Sequence, residues 1–315
     1  MISKNLNILV YGDAILDKYS ICSIKGMSTE APVPIVKITD ENYVLGGAAN
    51  VANNIVSLSS NCFLCTTLSD DSYSSILVGL LDKSNISKEL ITFEKSRITT
   101  LKNRFLVNNS QLLRVDSEVT NPISKESIGF LSSNLEPVFS KLNGVVISDY
   151  SKGTVVFNLV EELITLSKKY NIPIIVESKN YQKLPLNGVW AIKPNLKELQ
   201  KETNLPITNL NEIKIAVKYL FDKVNPQNLV LTMGDKGILL FNSNGFQLFQ
   251  AKKVQIADVT GAGDTVAASL ILSLSSGLTI EEACKIANVA ASIVVSKQRV
   301  STLTINELES AVKWF

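Results

Sequence analysis

Residues 144–178 read GVVISDYSKGTVVFNLVEELITLSKKYNIPIIVES, and their pattern sets the fold class. Two apolar runs, GVVISDY (144–150) and IPIIVES (172–178), flank NLVEELITLSKKY (158–170), whose apolar residues recur at helical spacing. Unbroken apolar runs of this length read as strands covered on both faces. A helix between two of them makes a strand–helix–strand crossover. The unit repeats outward. GVWAIKPN (188–195) and NLVLTMG (228–234) are further strands, with NEIKIAVKYLFDKV (211–224) as a helix between them. On the N-terminal side LNILVYG (6–12) and NCFLCTTL (61–68) continue the series around the helix GAANVANNIVSLS. The fold class is α/β, a mostly parallel sheet flanked by helices.

Two stretches break the alternation. Residues 14–40 carry no helix signal and include APVPIVKI, where Pro32 and Pro34 suit edge strands or extended chain. Residues 97–116 alternate as strand–turn–strand, with Asn108-Asn109 near the turn. Both read as parts of a small β-lid on the sheet. No Gly/Ser linker, low-complexity segment or internal repeat divides the chain, so residues 1–315 are expected to form a single domain with this lid.

Composition narrows the chemistry. The 315 residues are 45% hydrophobic and 19% charged, with 31 basic and 29 acidic residues and a net charge of +2, enough apolar material for a sizeable core. No basic run points to nucleic acid or a membrane surface. Histidine is absent, which removes Ser-His-Asp and Cys-His pairs, HExxH zinc sites and imidazole acid–base catalysis. Proton transfer is left to carboxylates, lysine, tyrosine or cysteine. Cys62 and Cys65 form a CxxC, a pattern shared by redox pairs and half zinc sites. On a strand, residues three apart face opposite sides, and no second CxxC completes a metal site, so the cysteines are read as small core residues. With no secretory leader and no apolar stretch near membrane-spanning length, the expectation is a soluble cytoplasmic protein.

The segment ADVTGAGDTVAASLILSL (257–274) carries the strongest chemical signal. A strand end is expected to run into Asp258, followed by the Gly261-Ala262-Gly263 turn and a helix of small and apolar residues. Such a turn leaves amides bare at a helix N-terminus and attracts anions. Asp264 inside an anion cradle fits a carboxylate that must touch a hydroxyl while phosphoryl charge develops beside the amides. Two other readings apply to the same residues: a plain turn whose Asp caps the next helix, and a dinucleotide fingerprint. The fingerprint lacks its third glycine and lies late in the chain, and no P-loop motif occurs. A second constellation, Gly46-Gly47-Ala48-Ala49-Asn50, pairs glycines that admit a close ligand with Asn50 on the first helical turn. Small residues at a helix start also serve packing alone.

Together, Gly-Gly-Ala-x-Asn and Asp-x-Thr-Gly-Ala-Gly-Asp resemble the paired signatures of the ribokinase/PfkB carbohydrate kinases, over essentially the whole chain. The resemblance implies a ribokinase-like, Rossmann-like sheet with a β-lid, ATP and Mg2+, and phosphorylation of a sugar alcohol. It implies Asp264 as the base and the amides of Gly261, Ala262 and Gly263 as the anion hole. It further implies Asp17, Gly46, Gly47 and Asn50 on sugar hydroxyls, and Asn195 and Glu198 around magnesium and phosphate. Thr232, Gly234 and Gly237 fall beside the nucleotide and Asn288 near the adenine. A monovalent cation near the anion hole and lid-paired homodimers also belong to the family pattern.

Within the family, GDAILDKY, STEAPVPIVK, GGAANVANNI, QLLRVD, ISDYSKG, KPNLKE and LTINELESAV are most similar to D-glycero-β-D-manno-heptose-7-phosphate kinases, here expected without the fused nucleotidyltransferase. A sugar already bearing a phosphate needs cations. Lys102, Arg104 and Arg114 in the lid and Lys152 after the SDY strand supply them, with the arginines suited to clamp phosphate; a solvated hairpin face is the other reading. The chain departs from that pattern at Gly26, Thr29, Asn108, Glu177 and Arg299, positions that bear on the sugar more than on phosphoryl transfer. Other acceptors (another sugar, a sugar phosphate or a nucleoside) and a non-catalytic sugar-binding protein on the same scaffold are the alternatives.

Overall fold

Along β1 (Asn7–Gly12), alternate side chains enter two separate cores. Ile8 and Val10 join one apolar cluster, Leu9 and Tyr11 the other, as a strand covered on both faces requires. The computed structural model describes residues 2–108, 110–297 and 299–312. After β1 come β2 (Ala14–Met27) and β3 (Pro34–Gly47), then α1 (Ala48–Ser57), β4 (Asn61–Ser69), α2 (Ser72–Lys83) and β5 (Ser87–Glu94). The pair β6 (Leu101–Val107) and β7 (Ser110–Ser117) precedes α3 (Lys125–Phe139), β8 (Gly144–Asp149), α4 (Phe157–Tyr170) and β9 (Ile174–Ser178). Next are β10 (Ala191–Ile192), α5 (Leu196–Thr203), α6 (Leu210–Val224), β11 (Asn228–Thr232), β12 (Ile238–Asn242) and β13 (Gly245–Phe249). The chain ends in α7 (Ala262–Ser275), α8 (Ile280–Val294) and α9 (Ile305–Val312).

The main sheet runs β13-β12-β11-β10-β9-β8-β1-β4-β5. Its pairs are parallel except those of β12 with β11 and β13. Helices α1, α2, α7, α8 and α9 contribute to one core, and α3 to α6 to the other. Helix α7 packs between α1 and α8, and its residues from Asp264 to Leu274 are all buried, which explains why its side chains after Asp264 are small or apolar. Strand order reverses at β1, so the crevice beyond the carboxyl ends of β1 and β8 is where this topology accepts ligands.

A second sheet, β3-β2-β6-β7, stands off the first. Hydrogen-bond register places Asp17 beside Lys102 and Tyr19 beside Arg104, and opposes Arg104 to Arg114 and Lys102 to Asp116. These residues therefore share one face of the small sheet. Asn108 enters its hairpin turn with φ 49°; Asn109 lies outside the described residues.

Two local expectations change. The run expected as a strand over 188–195 is a regular strand only at Ala191 and Ile192. Beyond them Pro194 has no N–H to donate, and pairing continues as single contacts, Lys193 N–H to the Val176 carbonyl and a bridge from Asn195 to Thr232. No strand precedes Asp258; instead the N–H groups of Ala257 and Asp258 both donate to the Val295 carbonyl at the end of α8. Cys62 and Cys65 fall in different cores, and burial raises both thiols above their usual range. Among the described residues no helix is long and apolar enough to cross a membrane.

Candidate active site

Helix α7 starts at a turn that only glycine accommodates. Gly261 has φ 82°, and a Cβ there would lie 2.9 Å from Asn50 Nδ2. One turn on, Asp264 is 6% exposed and holds two hydrogen bonds. Asn50 Nδ2 donates to its Oδ2 at 2.6 Å, and the Tyr150 hydroxyl donates to its Oδ1 at 2.8 Å. Behind Asn50, Asn54 donates to the Asn50 carbonyl at 2.9 Å and Thr265 donates to Asn54 Oδ1 at 2.8 Å. Asn50 is thus turned toward the carboxylate; the sequence had pointed it at sugar hydroxyls. Burial, then the charge of Glu177, pushes the Asp264 carboxyl up to about 7, against the opposing pull of Asn50, Tyr150 and Lys193.

Of the three amides in the turn, that of Ala262 donates to the Val259 carbonyl at 3.3 Å. Those of Gly261 and Gly263 have no acceptor among the described residues, so two donors are left open at the N-terminus of α7, where the helix dipole favours negative charge. Lys193 Nζ lies 3.7 Å from where a Gly263 Cβ would sit. It is buried and paired with Glu177 Oε2 at 2.9 Å, while Ser148 donates to Glu177 Oε1 at 3.0 Å. Burial alone would lower the Lys193 pKa, but Glu177, Glu198 and Asp264 outweigh it and hold the ammonium charged.

On the small sheet, Asp17 is buried and ion-paired with Arg104, whose guanidinium also lies 5.5 Å from the Tyr19 ring centre. A Cβ on Gly46 would fall 2.2 Å from Asp17 Oδ2, which is why β3 carries glycine there. Gly46→Ala is expected to displace the Asp17 carboxylate from Arg104, costing about 1–3 kcal/mol as an overpacked buried site and raising acceptor KM. Thermal melting and acceptor saturation measure both; an unchanged KM would free Asp17 from any binding role. Arg114 is half exposed and pairs with Asp116 at 2.9 Å. Lys152 pairs with Glu118 at 2.7 Å. Lys102 makes no ion pair among the described residues; it lies 5.5 Å from the Tyr150 ring centre, and burial lowers its pKa.

On the other side of the crevice, Asn195 and Glu198 form a reciprocal cap on α5. Asn195 Oδ1 accepts from the Glu198 N–H and Glu198 Oε2 accepts from the Asn195 N–H, both at 2.9 Å. The remaining Glu198 oxygen pairs with Lys179. Thr232 is bridged to Asn195, and Gly234 and Gly237 bound the turn after β11. Asn288 donates to the Gln250 carbonyl at 2.7 Å, pinning the chain beyond β13. The contacts thus join Asp264, Asn50, Tyr150, Lys193 and Glu177 into one cluster, while Thr232, Gly234, Gly237 and Asn288 stand apart from it.

Over residues 5–306 the sequence matches the profile of the pfkB family carbohydrate kinases. The chain belongs to that family. As a pfkB family kinase it transfers phosphate from ATP to a hydroxyl acceptor. It is 36% identical over 308 residues to the bifunctional protein HldE of Aliarcobacter butzleri, covering 98% of this chain and 64% of that protein. The kinase chain therefore spans less than two thirds of this relative. A phosphofructokinase-2 mutant from Escherichia coli superposes with TM-score 0.81 at 20% identity, covering 100% of this chain and 99% of its own. Arabidopsis thaliana ribokinase complexed with ribose and ATP does so with TM-score 0.78 at 18% identity, covering 99% of each chain. At such identities the likeness is one of fold: a ribokinase-like α/β sheet flanked by helices.

Sequence reasoning passed over four residues of this pfkB kinase. Asp13, fully buried, accepts from the N–H groups of Tyr150, Lys152 and Thr154, each at 2.9 Å; it fastens the loop after β8 to the end of β1. Tyr150 and Lys193 were quoted only inside longer motifs, and Glu177 only as a departure. A lysine within the apolar run AIKPN was the available signal, since an unpaired charge is not tolerated there.

Proposed function

We propose that this kinase phosphorylates O1 of D-glycero-β-D-manno-heptose 7-phosphate to the 1,7-bisphosphate, a step toward the ADP-heptose used in lipopolysaccharide core synthesis. The observation that carries the phosphoryl-transfer reading is Asp264: a buried carboxyl with its pKa pushed up to about 7, directly after the open Gly263 amide and one helical turn from that of Gly261. In the proposed step Asp264 takes the acceptor hydroxyl proton as the acceptor oxygen bonds to the γ-phosphorus of ATP. The bond from that phosphorus to the β-phosphate oxygen breaks and ADP leaves. The Gly261 and Gly263 amides and the Lys193 ammonium stabilise the charge in transit.

The heptose assignment rests on two supports. The motifs STEAPVPIVK and ISDYSKG resemble heptose-phosphate kinases, and the lid gathers Lys102, Arg104 and Arg114 on one face. Among the described residues Lys102 has no ion-paired carboxylate to give up, so it is the first residue assigned to the sugar phosphate. Arg104, Arg114 and Lys152 would have to exchange Asp17, Asp116 and Glu118 for it.

The residues fit magnesium only as a hydrated ion. No group of three acidic or cysteine side chains that could hold a metal occurs among the described residues, and the Glu198 oxygens are engaged by Asn195 and Lys179. Magnesium commonly keeps several waters and binds through one or two carboxylates plus substrate phosphates, so Glu198 and Asn195 would meet it through water. When bound it neutralises charge on the β- and γ-phosphates. Around the glycine turn Asp258 Oδ1 accepts from Thr260 N–H and the Val259 carbonyl from Ala262 N–H; Asp258 and the Val259 carbonyl are the groups that would hold a monovalent cation there.

The proposal includes a cytoplasmic homodimer in which the small sheet serves as both lid and interface. Ile24, Ile35 and Leu113 on its strands are exposed, and exposed apolar sheet edges need cover. Sedimentation velocity reads the assembly state. The deciding experiment is an ADP-release assay with Mg-ATP against the heptose 7-phosphate, fructose 6-phosphate, ribose and adenosine. Turnover confined to the heptose phosphate supports the assignment, and preference for another acceptor overturns it. Absence of turnover together with intact ATP binding would favour a sugar-binding protein.

A further inference from the structure

We propose that Tyr150 guards the base: its phenol O–H occupies the position from which the acceptor hydroxyl must donate to Asp264, and the acceptor reaches the base by displacing it. The inference rests on Asp264 being the base. Both carboxylate oxygens of Asp264 are already engaged, Oδ2 by Asn50 and Oδ1 by Tyr150. Each oxygen keeps a second lone pair, but the carboxyl is only 6% exposed, and the side open to an incoming hydroxyl is taken to be the one that Tyr150 covers.

Asn50 cannot yield. It is 1% exposed on α1, backed by Asn54 and Thr265, and pressed against the Gly261 turn. Tyr150 can. It is only partly buried, while its backbone N–H is anchored to Asp13 Oδ2 at 2.9 Å. Rotation about the Cα–Cβ bond frees the carboxylate without moving the chain. Two cations lie near the ring, Lys102 Nζ from the small sheet at 5.5 Å and Lys179 Nζ, itself paired with Glu198, at 5.3 Å, and both long side chains can follow or release it.

The chemistry gives the contact a purpose. Burial and the neighbouring carboxylates hold the phenol neutral, so on the base it is an inert cap. A water in the same place would be a nucleophile. Asp264 would take its proton, its oxygen would bond to the γ-phosphorus, and the bond to the β-phosphate oxygen would break, hydrolysing ATP. Because Lys102 touches the same ring, a phosphate that draws Lys102 away also loosens the cap, linking acceptor capture on the lid to exposure of the base. The charged groups facing this pair are Glu177, Lys193, Glu198, Lys102 and Lys179.

Tyr150→Phe keeps the ring and removes the O–H. Hydrolysis of Mg-ATP without acceptor is expected to rise about tenfold, the worth of one hydrogen bond to a charged group. Acceptor KM for the heptose 7-phosphate should fall by more than kcat changes. The acid limb of kcat/KM should move to higher pH, since a bond that lowers the Asp264 pKa is gone. Unchanged acceptor-free hydrolysis with an unmoved acid limb would make Tyr150 a packing residue and overturn the proposal. So would a fall in kcat at constant KM, which would mean the phenol works with the acceptor in place. The double variant Asp264→Ala/Tyr150→Phe separates the two readings: hydrolysis that stays raised without the carboxylate rejects Asp264 as the base, whereas a rise in the single variant that vanishes in the double supports the guard, and no rise in the single variant overturns it.

Discussion

Asp264→Ala is expected to lower kcat by at least about three orders of magnitude, because a positioned general base contributes roughly 10²–10⁴ and here also organises its neighbours. Turnover within tenfold of the parent would reject the assignment. The same carboxyl predicts a pH dependence. It must be ionised to accept a proton, and it is pushed up to about 7, so activity should fall as pH drops below about 7. Stability moves the other way. A carboxyl whose pKa is raised on folding binds its proton more readily in the folded chain. That contribution is fully present below the ordinary carboxylate value and is lost as pH rises toward about 7. The isosteric Asp264→Asn chain, which carries no such charge, should therefore melt above the parent at pH 8. The gap should narrow as pH falls from about 7 toward about 4. Calorimetric melting at pH 8 and pH 5, beside ADP-release kinetics on the same preparations, reads both effects. Equal melting at both values would mean the carboxyl is better solvated than its burial implies.

What could be read from the chain was local. Apolar runs bounded by turns gave β8, β9 and β11, and helical periodicity gave α4 and α6 to within a residue. The glycine turn before α7 was legible because positive φ and bare amides demand glycine whatever surrounds them. What could not be read was pairing across the fold. Arg104 and Asp17 were each assigned to a ligand, and only the parallel register of β2 and β6 brings them onto one face where they meet each other. Asp13 takes its three N–H donors from a loop more than 130 residues away. The strand expected before Asp258 failed for the same reason: a carbonyl of α8, remote in sequence, offered its N–H groups a partner. Site chemistry therefore became visible residue by residue in the sequence, while the partner that commits each residue emerged only with the register.

The second large effect concerns Lys193 and Glu177. Register between β9 and β10 aligns Ile192 with Val176, so the next residues along, Lys193 and Glu177, meet at the carboxyl ends of the two strands, buried and 2.9 Å apart. Lys193→Met leaves the Glu177 carboxylate buried without its counter-ion, and breaking such a pair from one side costs about 3–5 kcal/mol. For a chain of this size that is a fall in Tm of roughly 10 °C. Glu177→Gln in the same chain removes the orphaned charge, so the double variant should recover most of the loss. Penalties that simply add would show that the two residues are not coupled. Activity is expected to part company with stability. The Lys193 ammonium lies under the Gly263 turn and lowers the pKa of Asp264, neither of which Glu177→Gln restores. A double variant with a recovered melting temperature and a kcat still depressed by about a hundredfold, the scale of one lost electrostatic contact to a developing anion, would assign Lys193 to the transition state. Recovery of kcat along with Tm would reduce the pair to scaffolding and leave the Gly261 and Gly263 amides as the only stabilising groups at the turn.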